Sequence, residues 1–335
     1  MPPNLKNPAI TRRICLTTGA ALLAARRTAR AATDVRLGIL QFGTVQWVAD
    51  IITRHALDKK NDVALSTVTL ANTEAGRVAL MAGAADVVVS DWMFVAIQRA
   101  SGTKLCFAPF SSAIGGIMVS GASPIRSLAD LAGRKVGVAG GPADKSWLIV
   151  RAAAKAAHGI DLTQAANVVY GAPPLLNAKL TQGELDAVLT YWNFAARLEA
   201  ANFRQVLSVD DCARSLGLPA PMSLVGFVFH EDWAIRNPAA INGFLSAVAS
   251  ADDLLATSEQ EWQQIRPLMN APEDALAQHL RQRFADGITR PSAQAQEHAA
   301  VQLFEVLRRT GDPKATDGLQ QLPPGIFWPV PLSHA

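Results

Sequence analysis

The residues most suggestive of chemistry lie in "KVGVAGGPADKSWLIV", Lys135 to Val150, where glycines 137, 140 and 141 separate an apolar run from a run with helical spacing. Glycine lets a backbone approach a ligand closely, and a helix that follows aims its free N–H groups at whatever sits there. Gly140 and Gly141, with a helix starting near Asp144, could receive a carboxylate or sulfonate, and Lys145 adds a positive charge. Neither G-x-G-x-x-G nor G-x-x-x-x-G-K-[ST] fits the spacing, so a nucleotide site is disfavoured. There is no G-x-S-x-G elbow and no H-E-x-x-H pair, and the histidines at 55, 158, 230, 279, 298 and 334 lack metal-ligand spacing. His158 before Gly159 reads as the end of a helix, where a cation suits the dipole and glycine the cap. These readings argue against an enzyme and predict neither cofactor nor metal.

The elements that must position this loop emerge when the chain is compared with itself. "GAADVVVSDWMFVA", Gly83 to Ala96, matches "GELDAVLTYWNFAA", Gly183 to Ala196, at six of fourteen positions with an offset of 100 residues. "VRLGIL" from Val35 falls near "KVGVAG" from Lys135, and "VALSTVTL" from Val63 near "NVVYGA" from Asn167. Each copy reads strand, helix, strand, helix, strand, with "TVQWVADIITRHALD" and "TEAGRVALMAG" helical in the first, and "ADKSWLIVRAAAKAAHG" and "PPLLNAKLTQG" helical in the second. Two α/β units with mostly parallel sheets are expected, each presenting a ligand-facing edge at the carboxyl ends of its strands. "KLCFAPF" and "AIGGIMVSG" between the copies, and "RQVLSV" and "MSLVGFVF" after them, read as strands that carry the chain across and back. Such a pair of crossings is a hinge. The tail is helical: Asn237-Pro238 is a helix start, "SEQE" from Ser258 fits a capping box, and Ser292 can cap a helix to Arg309.

Composition bounds the partners. The chain has 335 residues, 50% hydrophobic and 18% charged, enough for two ordinary cores. Its first 32 residues carry Lys6, Arg12, Arg13, Arg26, Arg27 and Arg30 without an acid, around the apolar run "ICLTTGAALLAA". This is a signal peptide in its parts, with cleavage expected near Ala31, and "TRRICL" resembles the twin-arginine export signal. Its removal leaves 25 basic against 28 acidic residues, turning the net charge from +3 to about −3. No basic stripe then remains for nucleic acid. Cys106 and Cys212 could pair in an oxidising compartment, or Cys106 could be a buried strand residue.

"SPIRSLADLAGRKVGV", the repeated G-x-x-D before the third strand of each unit, and "VGFVFHEDWAIRNPAAINGFLSA" together resemble the substrate-binding proteins of ABC importers. The group is the nitrate/sulfonate/taurine type, which also contains proteins for pyrimidine precursors and aromatic compounds, and the likeness covers roughly residues 34 to 310. It implies a two-lobe, type II periplasmic-binding-protein-like α/β fold, each lobe a mostly parallel sheet flanked by helices, with a helical C-terminal tail. After a signal peptide at 1–32, lobe 1 begins at 34–115, lobe 2 spans 116–222, and 223–335 returns to lobe 1 and forms the tail. The resemblance further implies a periplasmic monomer that hands a small molecule to a membrane permease.

Carried over position by position, the cleft comprises Gln41, Phe42 and Gly43, then Ser90, Asp91 and Trp92, and Ser111 and Ser112 on the first lobe. The second lobe contributes Gly140, Gly141, Asp144 and Lys145, with Tyr191, Trp192 and Asn193 from the repeat. Either tryptophan could instead be core. With Asp91 at one rim, aromatics around it and no arginine fork in these loops, the expected ligand is a small aromatic or amine-bearing molecule held by Asp91 and Asn193, with sulfonate or taurine as the alternative. An enzyme of the thiamine-pyrimidine type, using its own His and Cys, or a periplasmic sensor partner, are the remaining readings; the first would need a Cys-rich motif that this sequence lacks.

Overall fold

A strand buried on both faces must be nearly continuous in apolar residues, and "VVV" at 87–89, "VGVA" at 136–139 and "AVL" at 187–189 meet that demand. The computed structural model describes residues 32–288, 290–309 and 313–329; the basic leader through Ala31 lies outside them. The first lobe runs β1 (Thr33–Leu40), α1 (Val45–Arg54), α2 (Leu57–Lys60), β2 (Val63–Leu70), α3 (Thr73–Met81), β3 (Val87–Asp91), α4 (Trp92–Ala100) and β4 (Leu105–Ser111). The chain then crosses to β5 (Gly116–Ser120), β6 (Lys135–Ala139), α5 (Lys145–His158), α6 (Leu162–Ala165), β7 (Asn167–Gly171), α7 (Pro173–Thr181), β8 (Ala187–Thr190), α8 (Trp192–Ala200), β9 (Phe203–Ser208) and α9 (Val209–Ser215). It returns through β10 (Val225–His230) and continues as α10 (Glu231–Arg236), α11 (Pro238–Thr257), α12 (Glu259–Met269), α13 (Asp274–Asp286) and α14 (Ala293–Arg309).

Two five-stranded sheets result, in the orders β2-β1-β3-β10-β4 and β7-β6-β8-β5-β9. In each, the second strand of the order pairs parallel with both neighbours, β1 with β2 and β3, β6 with β7 and β8. The one antiparallel strand of each sheet arrives by crossing from the other, β10 between β3 and β4, and β5 between β8 and β9.

The repeated G-x-x-D now has a physical meaning. Gly83 and Gly183 take φ of +69° and +75° and turn the chain out of α3 and α7, a conformation in which a side chain is strained. Asp86 then accepts the Arg36 backbone N–H at 2.9 Å, and Asp186 accepts that of Lys135 at 2.8 Å. The third strand of each lobe is thereby pinned to the start of the first.

The lobes touch away from the strand ends as well. Trp192, first residue of α8, stacks edge-on against Trp47 of α1 at 6.0 Å between centroids, and Trp47 meets Trp262 of α12 at 5.8 Å. One turn on, Arg197 donates to the carbonyls of Met269 and Asn270, and Glu199 accepts from Arg283 and pairs with His279. α8 of the second lobe is thus clamped to the C-terminal helices.

Several local expectations change. Ser258 accepts the Glu261 N–H, but the Glu261 carboxylate turns to Arg54 at 2.8 Å and His55 at 2.9 Å instead of closing a capping box. A complete box forms at Ser208 and Asp211. Asn237 precedes α11 without capping it, its amide donating to the Trp233 carbonyl. Cys106 on β4 and Cys212 on α9 belong to different lobes and are free and buried, so no disulfide joins them, and burial pushes both thiols up to about 12.

Asp252 on α11 is 6% exposed, and burial raises its carboxyl to about 8, against the pull of Arg290. The folded chain therefore holds a proton there that the unfolded chain releases near pH 4, and this stabilising contribution is lost as pH rises toward 8. Asp252→Asn should be more stable than the parent by about 2 kcal/mol or more at pH 8, with the difference vanishing near pH 4. Urea denaturation at both pH values measures it.

Candidate functional site

β3 ends on Asp91, whose Oδ1 accepts the Phe94 N–H at 2.9 Å and so caps α4. Its Oδ2 accepts from Arg77 of α3 at 2.6 Å, and the same guanidinium donates to Ser90 Oγ at 3.2 Å and lies over the Phe94 ring at 4.6 Å. Arg77 also reaches Glu74, one turn earlier, at 2.8 Å. The acid is thus held by its own lobe before anything arrives from the other.

The second lobe answers with the loop after β6. Gly140 has φ of +87°, Asp144 caps α5 by accepting the Ser146 and Trp147 N–H groups, and Lys145 opens the helix. Lys145 is 9% exposed, donates to the Ala143 carbonyl at 2.9 Å and stands 3.6 Å from Asp91 Oδ1 across the lobe junction. A second contact spans the junction where the Asn193 amide donates to the Phe42 carbonyl at 3.4 Å.

Burial opposes ionisation of Asp91, yet Lys145, Arg77 and the Phe94 N–H together hold its carboxyl below the ordinary range. Asp144 goes the other way: burial, aided by the charge of Asp91, pushes it up to about 6 against the Trp147 and Ser146 N–H groups and Lys145. Burial, with the nearby charge of Asp144, also raises the Tyr191 phenol well above its ordinary value. Two carboxyls in one cluster are therefore driven apart, one fixed as an anion and the other titrating near neutrality.

Of the residues named from sequence, Ser90, Asp91, Asp144 and Lys145 converge in this cluster, with Gly140 and Tyr191 beside Asp144. Gly141 lies in the same loop. Gln41, Phe42 and Gly43 form the turn after β1, where Gln41 and Phe42 are exposed. Trp92 is core rather than cleft: it is 1% exposed and packs against Phe327, whose segment bridges to β4. Ser111 and Ser112 face the hinge, since both hydroxyls and the Ser112 N–H bond the Gly287 carbonyl. Trp192 serves lobe contact through Trp47. Arg77 escaped the sequence reading because a lone arginine in "TEAGRVALMAG" carries no motif, and its reach to β3 exists only once α3 packs on the sheet. A cavity of about 670 Å³ opens beside the cluster, lined by Arg77, Val78, Met81, Phe94, Ile97 and Lys145 among others. That is the size of a small-molecule site.

Among the described residues, no group of three His, Cys, Asp or Glu side chains is placed to hold a metal ion. Removing Arg77 leaves Lys145 as the one cation beside buried Asp91, with the Phe94 N–H as its remaining donor, so Arg77→Met should destabilise the fold by about 1–3 kcal/mol, less than a fully buried pair would lose. In an Asp91→Asn background, where Lys145 has already lost its carboxylate, Arg77→Met should cost clearly less than in the parent, a coupling that a double-mutant cycle in urea measures directly.

The NMT1/THI5-like family model matches residues 59–261. A sequence search of the curated proteins finds no match. Among solved structures, the periplasmic aliphatic sulphonate-binding protein SsuA from Escherichia coli superposes with a TM-score of 0.66 at 20% identity, over 90% of this chain and 94% of that one. The alkanesulfonate-binding SsuA from Xanthomonas axonopodis pv. citri, bound to MOPS, gives 0.62 at 18% identity, over 88% and 98%. The periplasmic nitrate-binding protein NrtA from Synechocystis PCC 6803 gives 0.58 at 16% identity, over 85% and 84%. The two crossed five-stranded sheets are thus the fold of the two-lobe periplasmic binding proteins. With its family model spanning most of the sequence, from α2 to α12, the chain belongs to the NMT1/THI5-like family.

Proposed function

We propose that this protein is an extracytoplasmic solute-binding protein that captures a small organic molecule between its lobes and delivers it to the permease of an ABC importer. The observation that carries the reading is the meeting of Lys145 and Asp91, one from each lobe, beside a cavity of about 670 Å³. Closure that joins the two halves of a charge pair gives a ligand between them a state to select, because only the closed form presents both lobes to it at once. The fold likeness to sulphonate-binding and nitrate-binding periplasmic proteins supports the same role.

In this proposal residues 34–115 and 223 onward form one lobe and 116–222 the other. The basic leader is a twin-arginine export signal removed near Ala31, and the mature protein works as a periplasmic monomer without catalysis. The free cysteines support a binding role, since a nucleophile needs a thiolate and both thiols are buried and held protonated. The ligand carries a ring or an amine, as the exposed Phe42 and the Asp144–Tyr191 pair beside Gly140 favour. A sulfonate or other small anion is the second reading, favoured by Arg77 and Lys145 on the cavity wall.

A thermal-shift screen of aromatic carboxylates, pyrimidines, amines and sulfonates tests both. A true ligand at 100 times its Kd should add about 2.7 kcal/mol of stability. Asp91→Asn and Trp192→Ala should weaken that ligand, because each removes a contact between the lobes, and because both side chains are buried the loss is read against each variant's own stability in urea. A chain stabilised by none of these classes contradicts the reading.

A further inference from the structure

The cavity of about 670 Å³ beside the charge pair is walled by both lobes, by side chains of α3 and α4 on one side and by Ala143 and Lys145 on the other. Lys145 approaches Asp91, the residue that caps α4, so the second lobe meets the cavity where α4 begins. From that end the wall follows α3 through Val78 and Met81, and α4 through Phe94 and Ile97. Arg77 to Met81 covers about 6 Å of helix, room for an extended chain of several carbons. Val78 and Met81 are 67% and 44% exposed, an apolar strip that nothing in the described chain covers.

Lys145 is the donor at the inner end. Of its three ammonium hydrogens one goes to the Ala143 carbonyl at 2.9 Å, while Asp91 Oδ1 at 3.6 Å attracts the charge from beyond hydrogen-bond reach. A lysine only 9% exposed therefore keeps hydrogens to give on a cavity wall. Arg77 has no such surplus, since its three nitrogens go to Ser90, Glu74 and Asp91.

We propose that the cavity takes a straight-chain aliphatic carboxylate, its oxygens on the Lys145 ammonium and its chain laid along the groove of α3 and α4 over Val78, Met81 and Ile97. Two free hydrogens suit the two oxygens of a carboxylate, whereas a sulfonate brings a third oxygen for which this end has no donor left; Gln98 stands a turn past Phe94. Methionine and branched aliphatic side chains adapt to a flexible chain, and one face of the Phe94 ring is already taken by Arg77 at 4.6 Å. Neither Asp91 nor Asp144 is part of the wall, and the two acids that are, Glu74 and Asp317, lie exposed, with Glu74 paired to Arg77. The inference rests on the solute-binding reading and gives its small-anion form a chemical class. It also couples the ligand to the hinge, because the chain lies on the first lobe and the head on the second, so only the joined lobes make both contacts.

Calorimetric titration of the whole protein with butanoate, hexanoate and octanoate, each against the alcohol and the sulfonate of the same chain, tests the class. The acids should bind about tenfold or more tighter than their alcohols, as a charged hydrogen bond does. Affinity should rise about twofold to fourfold with each methylene added. Lys145→Met should remove the preference for acid over alcohol. The double variant Val78→Ser, Met81→Ser changes exposed positions only, so its urea stability should hold while the gain per methylene falls by half or more and the head-group preference stays. Equal affinity for acid and alcohol, a preference that survives Lys145→Met, or a chain-length dependence untouched by the double variant overturns the proposal. So does a sulfonate held more tightly than the carboxylate of its own chain. Capture of amines or ring compounds alone would sink the aliphatic carboxylate and leave the solute-binding reading standing; capture of nothing would sink both.

Discussion

The structure depends on one buried charge pair that neither lobe owns. Asp91 is fixed as an anion by Arg77 and the Phe94 N–H of its own lobe, and Lys145 comes to it from the other lobe. A lysine left nine-tenths buried without a partner would be costly, and so would the aspartate, so the lobes have an electrostatic reason to meet at this point. Arg77 decides how strong that reason is. By sharing Asp91 in advance it keeps the first lobe's acid ionised and soluble in its own surroundings, so that separation of the lobes strands only the lysine.

Topology determines where such a meeting can happen. Each sheet borrows its antiparallel strand from the chain's crossing, which places two covalent connections at one end of the lobe pair. The crossing is tight: a Cβ on Gly115 would stand 1.6 Å from the Thr190 carbonyl oxygen, so the segment between β4 and β5 passes against the end of β8 with no room for a side chain. Ser111 and Ser112, tied to the Gly287 carbonyl, anchor the same region to the C-terminal helices. The aromatic cluster of Trp47, Trp192 and Trp262 and the Arg197 and Glu199 contacts then brace α8 against those helices.

Much of this was legible in the residues because the same solution is written twice. The glycine and aspartate of the repeat perform identical tasks in both lobes, and the helix and strand periods around them follow. The single-sequence signals that failed are those whose meaning depends on a neighbour far along the chain. Arg77 looks like an ordinary helix arginine until α3 packs beside β3. Trp92 and Trp192 occupy equivalent places in the repeat, yet one is covered by Phe327 from the C-terminal segment and the other by Trp47 from the opposite lobe. Asp91 and its repeat partner Tyr191 differ in type, so the acid on the first lobe is offset on the second by a phenol beside Asp144, a pairing that spacing does not reveal.

The central claim is that the lobes move as bodies and that a ligand holds them together. Spin labels on exposed Lys60 of α2 and exposed Gln182 after α7, each changed to cysteine, report the distance between the lobes by pulsed electron resonance. The account predicts a broad or long distribution without ligand that narrows and shortens when a compound from the stability screen is added. The same distribution in both conditions would contradict it.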